Sequence, residues 1–87
     1  MAVKIEYKAS VERDFRKVGQ TAALRVQKKI EKTLAEEGHQ GETLSGEFAG
    51  LFRLRVGDYR VIYVPTDEGY LVLRIGHRRD VYKKGRP

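Results

Sequence analysis

Five arginines, Arg53, Arg55, Arg60, Arg78 and Arg79, occupy the second half of the chain together with Tyr59, Tyr63, His77 and Tyr82, and Lys83 and Lys84 follow directly. A guanidinium presents a planar fork of donors that matches phosphate oxygens, and an aromatic ring offers a stacking surface to an unpaired base. The combination suits single-stranded RNA. In the run LFRLRV, strand alternation sets Arg53 and Arg55 on one face and Phe52, Leu54 and Val56 on the other. A hairpin after that run would bring Arg60 to the arginine face. The competing reading is a solvated basic strand face with no role in binding. His77 stands at a strand end beside two arginines, where a near-neutral pKa suits an acid or a base. His39 lies in a glycine-rich loop and reads as an exposed polar residue, whereas Tyr7, Tyr63 and Tyr70 read as sheet packing.

Charge points the same way but more weakly. Eighteen Lys and Arg against twelve Asp and Glu leave a net charge of +6 on 87 residues. Such a surplus attracts phosphate backbones or acidic protein segments. The length leaves room for one core, so a single domain over residues 1–87 is expected. With no cysteine, neither a disulfide framework nor a thiolate metal site is possible, and the cytoplasm is the expected compartment. The N-terminal residues MAVKIEY lack the apolar core of a signal peptide, and no apolar run reaches the length of a membrane span, so no membrane association is expected. There is no phosphate-cradling glycine motif, no HExxH and no acid cluster at metal-ligand spacing, and neither metal nor cofactor is expected.

The elements that must position these residues follow from periodicity. Residues 3–7 alternate with Val3, Ile5 and Tyr7 on one side, as in a half-buried strand. Ser10 suits an N-cap, with Glu12 and Asp14 in the first turn and Val11, Phe15 and Val18 at helical spacing, giving a helix over 10–18. Gly19 interrupts the pattern, and Thr21 can cap a second helix carrying Ala23, Val26, Ile30 and Leu34 on its apolar face. Its other faces hold Arg25, Lys28, Lys29, Glu31, Lys32, Glu36 and Glu37, a mixed-charge surface suited at most to partner contact. Four glycines mark 38–50 as a loop, anchored by Leu44 and Phe48. Residues 51–56, 59–64 and 70–75 then form three strands joined by turns at Gly57-Asp58 and at 65–69. The expected class is α+β, in the order β-α-α-β-β-β, with a helical hairpin packed on a small twisted antiparallel sheet.

The segments LSGEFAGLFRLRVGDYRVIY and VLRIGHRRDVYK closely resemble the paired signatures of the RelE/ParE superfamily of toxins from type II toxin-antitoxin modules, on the RelE-like side. The resemblance extends from about residue 3 to residue 83. It implies the microbial-RNase-like fold and an mRNA interferase: a ribosome-dependent endoribonuclease that cuts messenger RNA in the A site without a metal. Its partners would be the ribosome, mRNA and a cognate antitoxin, whose acidic or amphipathic segment would cover the basic groove or displace residues 83–87. In that chemistry the ribose 2′-hydroxyl attacks the adjacent phosphate, leaving a 2′,3′-cyclic phosphate and a free 5′-hydroxyl. It requires a base, positive charge on the transition state and an acid for the leaving oxygen.

Position by position, the resemblance casts Arg60 as a phosphate clamp, Arg78 as transition-state stabiliser and Tyr82 as a stacking platform, with Arg53 and Arg55 holding the backbone and Arg79, Lys83 and Lys84 as further RNA contacts. Arg53 and Arg55 stand where RelE carries lysines. Arginine stays protonated to a pKa above about 12, so Arg55 is a poor base. Glu42, near the position where YoeB-type toxins hold a catalytic glutamate, and His77 are the two candidates for that role. Two other readings remain: a ParE-like gyrase poison, which generally lacks the arginine and tyrosine set, and a non-catalytic RNA-binding homologue kept for autoregulation.

Overall fold

The computed structural model describes residues 3–38 and 41–87; His39, read above as an exposed loop residue, lies outside them. Strand β1 (Lys4–Tyr7) leads into α1 (Val11–Val18), and Gly19, at φ 93°, starts α2 (Gln20–Ile30) without a spare residue between the helices. That compactness corrects the expected cap: α2 begins before Thr21, so Thr21 sits inside the first turn. Ser10 holds the N-cap position of α1 but makes no side-chain capping bond. The charges of α1 nevertheless suit its dipole, with Glu12 and Asp14 in the first turn and Arg16 and Lys17 in the last. Asp14 also reaches out of the helix, accepting a hydrogen bond from the Ile75 backbone N–H at 3.0 Å and fastening α1 to the sheet.

Beyond Ile30 the helix widens into a π-helical run, Glu31–Glu37, in which Thr33 and Leu34 are buried. The expected loop then contains a two-residue strand, β2 (Glu42–Thr43), and a 3-10 turn, Gly46–Phe48. Gly41 lies against the Tyr63 ring, where a Cβ would collide with the phenol oxygen, and donates its N–H to that oxygen at 2.9 Å. Strands β3 (Phe52–Val56), β4 (Tyr59–Pro65) and β5 (Gly69–His77) form the expected antiparallel meander, and a 3-10 turn, Asp80–Tyr82, precedes the tail.

The sheet has five strands in the order β1-β5-β4-β3-β2, and it is mixed rather than wholly antiparallel, because β1 pairs with β5 in parallel. The reason is topological. The helical pair carries the chain from β1 across one face to the far edge, and the meander returns it, so β5 arrives beside β1 running the same way. Both faces are covered. Val11, Val26, Ile30 and Leu34 from the helical side meet Leu54, Val56, Val61, Tyr63, Val72 and Ile75 on one face. On the other, Leu51, Ile62 and Val81 form a smaller cluster under Leu44, Phe48, Val64, Leu73 and Tyr82. Leu44 and Phe48 thus anchor the loop as expected, but to the face away from the helices.

Candidate functional site

Cross-strand register decides which polar side chains share the face away from the helices. Glu42 pairs with Arg53, Arg53 with Ile62, Ile62 with Arg74, Arg55 with Arg60, and Arg60 with Gly76. Directly opposed residues lie on the same side of a sheet, so Glu42, Arg53, Arg55, Arg60 and Arg74 project together. Arg55 and Arg60 face each other as like charges, an arrangement that destabilises the bare sheet and is offset here by neighbours. The two carboxylate oxygens of Glu42 are divided between two arginines: Oε1 lies 2.7 Å from Arg55 Nε and Oε2 lies 3.2 Å from Arg53 Nη2. Arg53 Nη1 donates to the Tyr82 hydroxyl at 2.9 Å. Arg60 turns back onto its own hairpin, donating from Nη1 to the Gly57 and Tyr59 carbonyls at 2.8 and 2.9 Å.

These contacts set the electrostatics. The hydrogen bond from Arg53, followed by the charges of both arginines, holds the Glu42 carboxyl below its ordinary range, so it is ionised at neutral pH. The Tyr82 and Glu42 contacts push the Arg53 guanidinium up. Tyr82 is half-buried, its ring meeting Phe48 edge to face at 5.3 Å between centroids.

The residue that seats Tyr82 is one that sequence reasoning missed. Arg74 Nη1 donates to the carbonyls of Val81 and Gly85 at 2.8 and 2.7 Å, pinning the tail across the sheet. Arg86 adds bonds to the Glu47 and Ala49 carbonyls at 3.2 and 2.8 Å. Arg74 alternates onto the same face as Arg53 in sequence, which was the available signal. What hid its partners is that they are backbone carbonyls of an irregular segment.

The structure therefore brings Glu42, Arg53, Arg55 and Tyr82 into one network, with Arg60 across the hairpin. Arg78 sits at the same end of the sheet as the Arg60 turn, its backbone N–H donating to the Asp58 carbonyl at 2.8 Å and its side chain exposed. His77 goes elsewhere. It pairs with Tyr59, packs edge to face on that ring at 5.9 Å, and lines a cavity of about 320 Å³ against α1 together with Lys17, Asp80 and Lys84. Lys83 pairs with Asp80 at 3.0 Å, and Arg79 is exposed ahead of the last 3-10 turn. The structure does not bring His77, Arg79, Lys83 or Lys84 to the Glu42 network. Among the described residues, no group of three or more His, Asp or Glu side chains is placed to hold a metal ion.

A family model described as the ParE toxin of the type II toxin-antitoxin system parDE matches residues 5–82. The chain belongs to this toxin family, within the RelE/ParE superfamily. The toxin is 41% identical to Toxin RelG of Mycobacterium tuberculosis over 46 residues, 51% of this chain, and spans about half of that relative's length, 53%. Among solved structures it is similar to the toxin-antitoxin complex RelBE2 of M. tuberculosis, with a TM-score of 0.78 and 28% identity over 90% of this chain and 100% of that one. A free-state arginine mutant of the Escherichia coli toxin RelE superposes with a TM-score of 0.70 at 23% identity, covering 94% of this chain and 92% of that one, a likeness of fold. The α+β architecture, two helices on a five-stranded mixed sheet, is that of RelE-like toxins.

Proposed function

We propose that this toxin is an mRNA interferase: a single-domain, metal-independent endoribonuclease acting on messenger RNA in the ribosomal A site, in the cytoplasm, and restrained by a cognate antitoxin. The observation that carries the reading is the network of Glu42, Arg53, Arg55 and Tyr82, which sets a carboxylate, two guanidiniums and an aromatic ring on one sheet face with Arg60 opposite. Similarity to RelG and to RelBE2 supports the RelE-like branch and an antitoxin partner. Among the described residues no helix is long and apolar enough to cross a membrane, which is compatible with the proposed compartment.

In this mechanism a phosphate of the substrate competes with Glu42 for Arg53 and Arg55. The displaced carboxylate takes the proton of the ribose 2′-hydroxyl as that oxygen attacks phosphorus. The P–O5′ bond breaks, the 5′ oxygen takes up a proton from solvent, and a 2′,3′-cyclic phosphate remains. Arg60 and Arg78, at the hairpin end, supply positive charge to the transition state, and Tyr82 stacks on a substrate base. Glu42 is preferred to His77 as base because it lies in the arginine network, whereas His77 faces α1. Arg79, Lys83 and Lys84 are assigned at most to outer RNA contacts.

One observation favours a second reading: the matching family model is described as a ParE toxin, and a ParE-like toxin would poison gyrase. A translation reaction followed by primer extension, run beside a gyrase cleavage assay, separates the two. Cuts within codons on translating ribosomes are expected. Gyrase-linked DNA breaks without mRNA cuts would replace the interferase by the poison, and RNA binding without either would leave a non-catalytic homologue.

A further inference from the structure

Arg25, Lys28 and Lys29 on α2 and Lys32 in the π-helical run that continues it stand at positions i, i+3, i+4 and i+7, the spacing of one helical face. Two of the i,i+4 pairs, Arg25 with Lys29 and Lys28 with Lys32, are of like charge and weaken the helix. None of the four has an ion-pair partner within 4.0 Å among the described residues. All are exposed. They line a groove of about 580 Å³ whose opposite wall is Arg55, Val56 and Gly57, and no carboxylate lines it.

The groove exists because β2 is only two residues long. It pairs with β3 at Phe52 and Arg53, leaving the Leu54–Val56 edge of β3 uncovered beside α2. At its other end the groove meets a smaller cavity of about 250 Å³, which shares Lys29 and Arg55 and adds Arg53, Leu54, Thr33 and the two carboxylates Glu37 and Glu42. Two buried polar atoms in the walls of that cavity, Thr33 Oγ1 and Arg53 Nε, have no hydrogen-bond partner. Positive charge therefore runs from Arg25 through Lys29 to Arg55 and Arg53, and the carboxylates Glu37 and Glu42 stand only at the inner end of the track.

We infer that this edge groove is a binding track for the phosphate backbone of single-stranded RNA, leading into the site where Glu42 and Tyr82 meet Arg53. The seven helical steps from Arg25 to Lys32 span about 10 Å at roughly 1.5 Å per residue, enough for two or three successive phosphates. The continuity with Arg55 and Arg53 favours an RNA strand over an acidic protein segment as occupant. The role assigned to the track's far end rests on the proposed nuclease reading, but backbone binding along α2 does not.

The test uses the whole toxin and three probes that it cannot cleave: a 2′-O-methyl RNA oligonucleotide, a duplex DNA and a polyglutamate peptide. Arg25, Lys28 and Lys32 are replaced together by alanine, leaving Lys29 and the Glu42 network intact. Three lost phosphate contacts lower the slope of log K against log salt by about 2, and binding at 0.1 M salt weakens roughly a hundredfold. Thermal stability is expected to hold or rise, since alanine favours helix and the like-charge pairs are gone. A second variant with Lys28→Arg and Lys32→Arg retains binding. An unchanged salt slope for the oligonucleotide overturns the inference. So does loss confined to the peptide, which would make the groove a protein-docking surface, or tighter binding of duplex DNA than of the single strand. Should Tyr82→Ala leave mRNA cleavage intact while the alanine variant loses RNA affinity, the cleavage site is misassigned and the track stands.

Discussion

Replacing Tyr82 separates stacking from hydrogen bonding at the proposed site. In Tyr82→Phe the ring keeps its edge contact with Phe48 and its place in the small apolar cluster, and only the bond from Arg53 Nη1 is lost. A hydrogen bond to a charged group is worth about 1.5–3 kcal/mol when the partner is left bare. Arg53 keeps Glu42 at 3.2 Å and its side chain is 23% exposed, so a loss near the bottom of that range, about 1.5 kcal/mol, is expected. For a domain of this size that lowers Tm by roughly 6–12 °C. Cleavage in a translation reaction should stay within about tenfold of the parent, since the stacking face is unchanged and 1.4 kcal/mol is a factor of ten. Tyr82→Ala removes the ring itself. Base stacking contributes about 1–3 kcal/mol per base, so cleavage falls roughly 10- to 100-fold beyond the phenylalanine variant. Primer extension measures both against a Tm recorded on the same preparations. If Tyr82→Phe abolishes cleavage as fully as Tyr82→Ala, the hydroxyl rather than the ring acts in the chemistry. If the folded alanine variant cleaves like the parent, the reasoning fails at its first step.

Glu42→Gln tests the base: loss of a general base costs about 100-fold or more in cleavage, while removing the internal anion should tighten binding of an uncleavable RNA, and an unchanged cleavage rate would return Glu42 to a mere clamp. The same variant has a pH signature, because a depressed carboxyl stabilises the fold above its ordinary pKa of 4.5 and loses that contribution as pH falls through its folded value; the variant's acid unfolding curve should lack that component. Tyr7 carries the opposite sign. Burial raises its phenol to about 12, and its oxygen is buried without a hydrogen-bond partner, so stability present below pH 10 declines as pH rises through 12. Tyr7→Phe should match or exceed the parent's Tm at pH 7 and show less alkaline loss. Arg78→Ala should relieve growth inhibition while antitoxin pull-down is retained, and full toxicity would remove Arg78 from the site.

The fold was legible where periodicity is strong and pairings are local. The helical pair and the three-stranded meander follow from Val11, Phe15, Val26, Ile30 and Leu34 at helical spacing, and from alternation around Gly57-Asp58. The parallel edge was not, because the partner of β1 is set by how the chain returns across the sheet rather than by the residues of either strand. The π-helical run was equally invisible, since a widened ladder leaves no mark in the apolar pattern of Thr33 and Leu34. At the site, alternation foretold that Arg53 and Arg55 share a face. It could also have separated His77 from Gly76 and Arg60, but nearness along the chain to Arg78 and Tyr82 made His77 look like their neighbour. Arg74 escaped because its role is to hold irregular backbone.

The Glu42 bridge bears on why the proposed nuclease would depend on a host. Glu42 is half exposed, and solvent screens exposed ion pairs so that each contributes little, so the bridge to Arg53 and Arg55 is a weak latch. A carboxylate so held is ionised but is also a poor base, because the same arginines that keep it charged lower its affinity for a proton. Entry of a phosphate between Arg53 and Arg55 would reverse both effects at once, taking over the guanidiniums and raising the proton affinity of the released carboxylate. Base activation is thereby tied to the position of one phosphate. A strand held in a fixed register satisfies that condition continuously, whereas a free oligonucleotide meets it only in a fraction of its bound arrangements. On this reasoning isolated RNA binds the toxin but is cut slowly, and the deficit is in kcat rather than in affinity. Single-turnover cleavage of a free oligonucleotide at saturating toxin measures that deficit directly, and a rate equal to that on the ribosome would dissolve the link between latch and host.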